Sequence, residues 1–144
     1  MEKTIGMLIC TLIVGGTIGS ASTASAQSAA PAAKPASTSS LALLTKDLPN
    51  IEGKEVTISE ITYPPGFASA PHRHDANTFV YVLQGTMQMQ VGGGEVLTLK
   101  AGQTFYESPT DVHATSRNAS ATEPAKILVF MLKDKGKPAS RPAN

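Results

Sequence analysis

The stretch that decides the fold is residues 66–91, GFASAPHRHDANTFVYVLQGTMQMQV. Its residues alternate between polar and apolar at 86–91 and form a short continuous apolar run at 79–83. Both patterns are typical of strands rather than helices. Gly85 lies between the two segments and is expected to supply a turn. This stretch therefore predicts two neighbouring strands.

The same period of two continues on both sides of this stretch. Residues 55–63 and 95–99 alternate, and residues 125–132 form a strongly apolar run. The glycine run at 92–94 is the clearest of several turn signals between these segments. No segment has the periodicity of an amphipathic helix. Many short strands with regular turns therefore predict an all-β barrel or sandwich.

Composition limits the classes of function. The chain has 144 residues, 41% of them apolar, which fits one domain. Twelve basic and eleven acidic side chains leave a formal net charge of +1, so no strong field would hold nucleic acid or an anionic membrane. The single cysteine, Cys10, excludes an intrachain disulfide, a tetrathiolate zinc site and a two-cysteine redox motif. We therefore expect no nucleic-acid partner.

The first 26 residues have the layout of a secretory signal. Lys3 precedes an apolar run at 5–18, and small residues follow up to Ala26. The run is shorter than the ~20 residues that a helix needs to cross a bilayer. We therefore expect residues 1–26 to be a signal peptide, cleaved after Ala26, which leaves no stable membrane anchor. The mature protein is then periplasmic or secreted. The alternative is that this segment is retained as a membrane anchor.

Composition divides the remaining chain into three parts. Residues 27–40 consist almost wholly of Ala, Ser, Pro and Thr and predict a flexible linker. Residues 133–144 combine Lys, Pro, Ser and Asn without periodicity and predict a disordered basic tail. Residues 41–132 are left as the folded domain, which is small enough that pairing between subunits would help its stability.

The chain has only three histidines, and all of them lie in the folded domain. His72 and His74 are two residues apart, so both imidazoles point to the same face of an extended segment. His113 would supply a third ligand from another strand. Three imidazoles with an open position suit iron, manganese, zinc, nickel or copper. The alternative at this point is that the histidines lie on the surface by chance.

These histidines occur in two motifs that resemble those of the cupin superfamily. The first family motif runs glycine, five residues, His-x-His, three or four residues, glutamate, six residues, glycine. Four residues of this chain occupy matching positions: Gly66, His72, His74 and Gly85. The glutamate position falls on Thr78, which is not a carboxylate.

The second family motif usually runs glycine, five residues, proline, x, glycine, two residues, histidine. Gly102 and His113 have this spacing. Ser108 and Thr110 replace the proline and the inner glycine. The two motifs together cover residues 63–118, and the strand pattern extends the resemblance to most of the folded domain.

The resemblance implies both a fold and a site. The fold is a single antiparallel double-stranded β-helix, a jelly-roll barrel, with His72, His74 and His113 as metal ligands at one mouth. Without the motif glutamate, three neutral imidazoles leave a divalent ion near +2, which favours anionic ligands. With iron, such a site would resemble the three-histidine oxygenases of the family. A barrel whose histidines bind no metal stays open as the alternative.

Several neighbouring residues are candidates to complete the site. Glu107 precedes the turn that leads to His113 and is an additional candidate ligand; the alternative is a solvent-facing glutamate. Arg73 and Arg117 are candidates for holding a substrate carboxylate, with surface exposure as the alternative. Asp75 is expected in a turn or on the surface. We expect the barrel wall to contain Phe79, Tyr81, Phe105, Tyr106, and Met87 or Met89.

Two functions follow, and whether the chain is an enzyme stays open. The first is an exported metalloenzyme, resembling an oxygenase, that acts on a small anionic organic substrate through a divalent ion. The second is a non-catalytic module that binds or senses a small molecule in the same barrel. By analogy with the family we also expect a homodimer that pairs through an edge strand near residues 41–47.

Overall fold

The computed structural model of the protein describes residues 37–144. These residues form ten β-strands: β1 (Ser39–Asp47), β2 (Lys54–Tyr63), β3 (His72–Arg73), β4 (Ala76–Gln84), β5 (Thr86–Val91), β6 (Leu97–Lys100), β7 (Thr104–Glu107), β8 (His113–Asn118), β9 (Ala125–Asp134) and β10 (Arg141–Pro142). Residues 37–144 contain no helix, and the prediction of an all-β domain is confirmed.

The strands form two five-stranded sheets. The first sheet has the order β1-β2-β9-β4-β7, and the second has the order β10-β3-β8-β5-β6. All pairings between neighbours are antiparallel. From β2 to β10 the chain passes repeatedly from one sheet to the other, which is the winding of a double-stranded β-helix. The predicted jelly-roll barrel is confirmed.

The core lies between the two sheets and is mainly aliphatic. It contains Tyr63, Ala76, Val80, Val82, Met87, Met89, Leu99, Phe105, Ala125, Ile127, Val129 and Met131. Side chains alternate between the two faces of a strand, so a polar residue two positions from a core residue on the same strand also points into the interior. Glu107, two residues after Phe105 on β7, is buried for this reason.

The apolar run of β4 divides between the two faces of its sheet. Val80 and Val82 are buried, whereas Phe79 and Tyr81 are 47% and 44% exposed on the outer face. Tyr106 on β7 is exposed as well. The prediction that these three aromatic residues form the barrel wall is therefore wrong, because successive strand residues point to opposite faces. The other predicted wall residues do lie in the core: Met87, Met89 and Phe105.

Gly85 is the corner at which the chain leaves one sheet and enters the other. Its φ is +77°, in the left-handed region, and an added Cβ would lie 2.9 Å from the carbonyl oxygen of Pro124. Only glycine avoids both the conformational strain and this contact. The turn expected at this residue is therefore a change of sheet rather than a hairpin.

Both ends of the folded part differ from the sequence-based expectation. β1 begins at Ser39, inside the segment expected to be a linker. β9 continues to Asp134, and β10 pairs with β3. The expected disordered tail at 133–144 is thus corrected to an ordered segment. Its order comes from main-chain pairing with a neighbouring strand, which needs no hydrophobic periodicity and so leaves no pattern in the sequence.

Two predictions concern residues outside this description. The signal peptide at 1–26 and the linker up to residue 36 both lie before the first described residue. Within residues 37–144, no helix has the length and apolar character needed to span a membrane.

Candidate metal centre

The three histidines of the chain meet between the two sheets. His72 begins β3, His74 follows the end of that strand, and His113 begins β8. His72 and His113 are direct partners in the pairing of β3 with β8. One ligand nitrogen from each ring lies within 4.8 Å of the other two. The fold therefore brings together the three residues that the sequence singles out as metal ligands.

Backbone carbonyls fix the orientation of two of these rings. Nδ1 of His72 lies 2.9 Å from the carbonyl oxygen of Ala70, and Nδ1 of His74 lies 2.6 Å from that of Ala139. Because a carbonyl oxygen only accepts hydrogen bonds, each Nδ1 carries a proton and donates it. In the neutral ring each Nε2 then keeps its lone pair, which is the arrangement typical of histidines that bind metals.

The Nε2 atoms of His72 and His74 face each other at 3.1 Å. Burial lowers the pKa of His72, which favours the neutral ring. With both Nδ1–H groups donating to carbonyls, the two Nε2 lone pairs repel each other at this distance unless a proton or a metal ion lies between them. Two nitrogens bound to one ion at about 2.0–2.1 Å are themselves roughly 3 Å apart. The spacing thus fits two ligands of one divalent ion.

Glu107 is the fourth group at this place and is only 2% exposed. Its Oε1 lies 3.1 Å from Nδ1 of His113, and its Oε2 lies 3.8 Å from Nε2 of His74. Despite these distances, Oε1 of Glu107 and both ring nitrogens of His113 have no hydrogen-bond partner. Buried polar atoms without partners are costly, and a bound ion would satisfy the carboxylate oxygen and one of the two nitrogens of His113. The solvent-facing alternative for Glu107 does not hold.

Thr78 occupies the position at which the family motif has glutamate. It is fully buried and lies directly opposite Glu107 in the pairing of β4 with β7. Opposite residues on one face of an antiparallel pair have Cβ atoms about 4.5–5.5 Å apart. Glu107 on the neighbouring strand therefore places a carboxylate beside the position at which β4 lacks one. The hydroxyl of Thr78 also has no hydrogen-bond partner, which leaves it free to bind a ligand or water.

The histidines and Glu107 border a cavity of about 410 Å³. Part of its wall carries hydroxyl groups, from Thr38, Ser40, Tyr63, Ser69, Ser116 and Ser140. Another part is aliphatic, from Ile61, Val80, Ile127, Val129 and Met131. None of the described residues that line the cavity is a lysine or an arginine. An anionic ligand would therefore depend on hydroxyl groups or a bound cation rather than on a basic side chain.

The remaining candidate residues lie outside this cavity. Arg73 donates hydrogen bonds to two backbone carbonyls, and Arg117 donates one to Gln88. Neither arginine lines the cavity, so neither is placed to hold a substrate carboxylate there. Asp75 forms an exposed ion pair with Arg141, in agreement with its expected place at the surface.

Sequence reasoning missed what the C-terminal end contributes to the site. Ala139 and Ser140 line the cavity, and the carbonyl oxygen of Ala139 orients His74. A backbone carbonyl has no signature in residue type, so no sequence signal identifies it. A signal did exist for Glu107, because it lies two residues after the apolar Phe105 and hence on the same face of the strand.

Comparison with known proteins agrees with the fold and with the two motifs. The family profile described as Cupin domain matches residues 59–131, about half of the chain. No curated protein sequence matches the chain.

Solved structures share the fold at low sequence identity. A cupin superfamily protein from Desulfitobacterium hafniense is 20% identical, covering 71% of this chain and 83% of its own, with a TM-score of 0.55. The polyketide cyclase RemF from Streptomyces resistomycificus is 19% identical, with coverage of 74% and 71% and a TM-score of 0.55. The DMSP lyase DddQ from Ruegeria pomeroyi is 18% identical, with coverage of 61% and 43% and a TM-score of 0.54. The chain thus spans less than half the length of that lyase.

Proposed function

The chain belongs to the cupin domain family, and from this premise we propose that it is a small exported protein whose barrel binds a divalent metal ion. The proposed ligands are His72, His74 and His113, with Glu107 as an additional ligand. The candidate ions are iron, manganese, zinc, nickel and copper, since imidazole nitrogen suits most of them. When bound, the ion would supply Lewis-acid or oxygen-activating chemistry.

One observation carries this proposal, the approach of two Nε2 atoms to 3.1 Å. Both rings already donate their other N–H to a backbone carbonyl, so both lone pairs point to the same place. The unpartnered carboxylate oxygen of Glu107 and the unpartnered nitrogens of His113 support the same interpretation. A cation at this place would accept both Nε2 lone pairs together with the unpartnered oxygen of Glu107 and one nitrogen of His113.

The cavity supports a small anionic organic molecule as the ligand, such as a carboxylate, an enolate or a phenolate. Glu107 lowers the net charge of a site with a divalent ion from about +2 to about +1, which still attracts an anion. The hydroxyl groups of Ser40, Ser69 and Ser116 would orient the polar atoms of the ligand through hydrogen bonds. The aliphatic wall at Val129 and Met131 would exclude water from its remaining part.

Elemental analysis of the mature protein tests the metal proposal. The protein is purified from its export compartment without a histidine tag, and we expect about one metal ion per chain, as a three-histidine site holds a single ion. Iron would favour oxygen chemistry, and zinc would favour Lewis-acid chemistry or a structural role. A protein that contains no metal and takes none up on titration would contradict the proposal.

The second candidate is a non-catalytic module that binds or senses the same class of small molecule. It is favoured by the cavity wall, which apart from the proposed ligands consists mainly of hydroxyl and aliphatic groups. A screen of small carboxylates and phenolates under air separates the two candidates. Oxygen consumption or product formation supports the enzyme, whereas saturable binding without turnover supports the module.

Export is part of the proposal and rests on the pattern of residues 1–26. Mass spectrometry of the protein isolated from its native source should give a mature chain that begins at Gln27. A chain that retains its first residues in the cytoplasm would contradict both the cleavage site and the periplasmic or secreted location.

We also propose a homodimer that covers β1 and the outer face of its sheet. All nine residues of β1 are exposed. An apolar row, which we call the outer apolar row, crosses the five strands of this sheet through register partners: Leu44, Ile58, Phe130, Phe79 and Tyr106. The half-exposed rings of this face supply on the order of 300 Å² of apolar surface, somewhat more than a third of the ~800 Å² that each partner buries in a standard interface. A two-fold axis would let a second copy cover the same row.

Changing Leu44 to glutamate should convert the dimer to a monomer. Leu44 is 44% exposed, so the change costs little within one chain but places a charge in the proposed interface. Sedimentation velocity measures the result. The matched control is Val96→Glu, at an apolar residue that is 43% exposed and outside the outer apolar row. A wild-type monomer, or a dimer that survives Leu44→Glu, would contradict this interface.

A further inference from the structure

The last seven residues of the chain, 138–144, run back across the candidate metal centre, and we call them the C-terminal strap. After β9 the chain turns through Gly136, whose φ is +72°. The strap then forms β10, in which Arg141 pairs with Arg73 and Pro142 pairs with His72. A segment distant in sequence thus lies beside two of the three histidines.

The strap contacts the site through one hydrogen bond and two cavity-lining residues. The carbonyl oxygen of Ala139 accepts the hydrogen bond from Nδ1 of His74 at 2.6 Å. This bond determines which ring nitrogen carries the proton and holds the ring with Nε2 toward His72. Ala139 and Ser140 also form part of the cavity wall. The same few residues therefore orient a proposed ligand and limit access to it.

The segment just before the strap is anchored firmly. Lys133 is buried, forms an ion pair with Glu55 and donates a hydrogen bond to the carbonyl oxygen of Lys137 at 2.6 Å. The backbone N–H of Gly136 also donates to Glu55, at 3.3 Å. These contacts fix the chain up to Lys137, so movement of the end would begin after this residue.

Apart from the pairing of β10 with β3 and the hydrogen bond from His74, the strap is held by side-chain contacts at or near the surface. Arg141 donates two hydrogen bonds to Asp75, at 2.8 and 2.9 Å, and both side chains are about half exposed. Arg73 donates to the carbonyl oxygen of Ala143 at 3.2 Å. Exposed ion pairs contribute little stability, and a segment with few buried apolar contacts opens locally before the rest of the fold.

We propose that the C-terminal strap is a positioning element that holds His74 in its ligand orientation and closes one side of the cavity. Opening the strap removes the acceptor of the Nδ1–H of His74 and removes the wall formed by Ala139 and Ser140. Metal retention and ligand access then both depend on whether the C-terminal strap is docked. This inference rests on the proposed metal site, and its test separates the two.

The first test removes the strap by ending the chain at Lys137, which keeps the carbonyl that Lys133 binds. Cobalt(II) serves as the metal probe, and its transfer to a chelator is followed together with its visible absorption bands. Loss of a group that orients a ligand typically costs 10- to 100-fold in affinity, so we expect release to be at least about tenfold faster. We also expect the absorption bands to change, because His74 is no longer oriented as a ligand.

A readout on the metal-free protein tests the orientation directly. The ¹⁵N chemical shifts of the His74 ring report which nitrogen is protonated, and the full chain should show the proton on Nδ1. In the chain that ends at Lys137 this preference should be lost. Circular dichroism and the thermal midpoint show whether the shortened chain keeps its fold.

A charge exchange provides a second test that leaves the chain length unchanged. Arg141→Gln should speed cobalt release, and Asp75→Arg should do the same. The double variant Asp75→Arg with Arg141→Asp should restore the slow release, because the ion pair is re-formed with reversed charges. The matched control is Arg117→Gln, at an exposed arginine on β8 that does not contact the strap.

The outcomes distinguish the strap from the site. If the full chain binds cobalt(II) and the shortened chain releases it at the same rate with the same spectrum, the role of the strap is overturned. If the full chain binds no cobalt(II) or any other divalent ion, the proposed function fails and the strap has no metal ligand to position. Faster release with a changed spectrum, restored by the charge exchange, supports the proposal.

Discussion

Changing His113 to alanine should abolish stoichiometric metal binding. His113 is 4% exposed, and neither of its ring nitrogens has a hydrogen-bond partner within the protein. Its removal therefore takes away a proposed ligand without breaking a hydrogen bond. A lost supporting group already costs about 10- to 100-fold in metal affinity, and we expect the loss of a ligand to exceed this range.

Thermal unfolding with and without metal measures this effect together with elemental analysis. An ion that binds only the folded state stabilises it by about 2.7 kcal/mol when its concentration is 100 times the Kd. The wild-type midpoint should rise on addition of metal, and the midpoint of His113→Ala should not. The control is Thr115→Ala on the same strand, which removes a side chain that bonds to Gln90 away from the site. A His113→Ala protein that keeps its metal would refute the assignment of this ligand.

Changing Glu107 to glutamine should weaken metal binding by at least about tenfold while leaving the metal-free protein equally stable or more stable. Glutamine has nearly the same shape as glutamate, but it lacks the negative charge that attracts a cation. In the metal-free protein, the change removes a buried carboxylate with an unpartnered oxygen, and such a group is costly. Opposite effects on affinity and on stability are the result expected for a metal ligand.

Chemical denaturation of the metal-free protein and a competition titration with a chelator measure the two quantities. The matched control is Glu123→Gln, the same chemical change at an exposed residue. If Glu107→Gln lowers the stability of the metal-free protein and leaves the metal affinity unchanged, then Glu107 has a structural role and is not a ligand.

Local patterns were sufficient to predict the main features of the barrel. The alternation at 86–91 and the apolar run at 125–132 correspond to β5 and to most of β9, because the period of side chains on a strand is a local property. The His-x-His spacing placed His72 and His74 on one face for the same reason. The match of the motifs to the cupin family added the third histidine and the jelly-roll topology.

Two features could not be predicted in this way. The outer position of Phe79 and Tyr81 depends on which face of β4 packs against the second sheet, and a continuous apolar run does not indicate that face. The order of the chain end depends on its pairing with β3, more than sixty residues earlier. A backbone contact of this kind is independent of side-chain pattern.

The sequence by itself thus determined the all-β class, the family and the choice of the three histidines as candidate metal ligands. Strand periodicity and motif spacing depend only on residues close together in the chain. Only the tertiary structure decided that Glu107 lies opposite Thr78 across the β4–β7 pair and that the carbonyl oxygen of Ala139 accepts a hydrogen bond from His74. Both facts are distances between residues remote in the chain, 29 positions apart for Thr78 and Glu107 and 65 for His74 and Ala139. Such distances are set by the register of strands and by the path of the chain end, which the fold as a whole fixes.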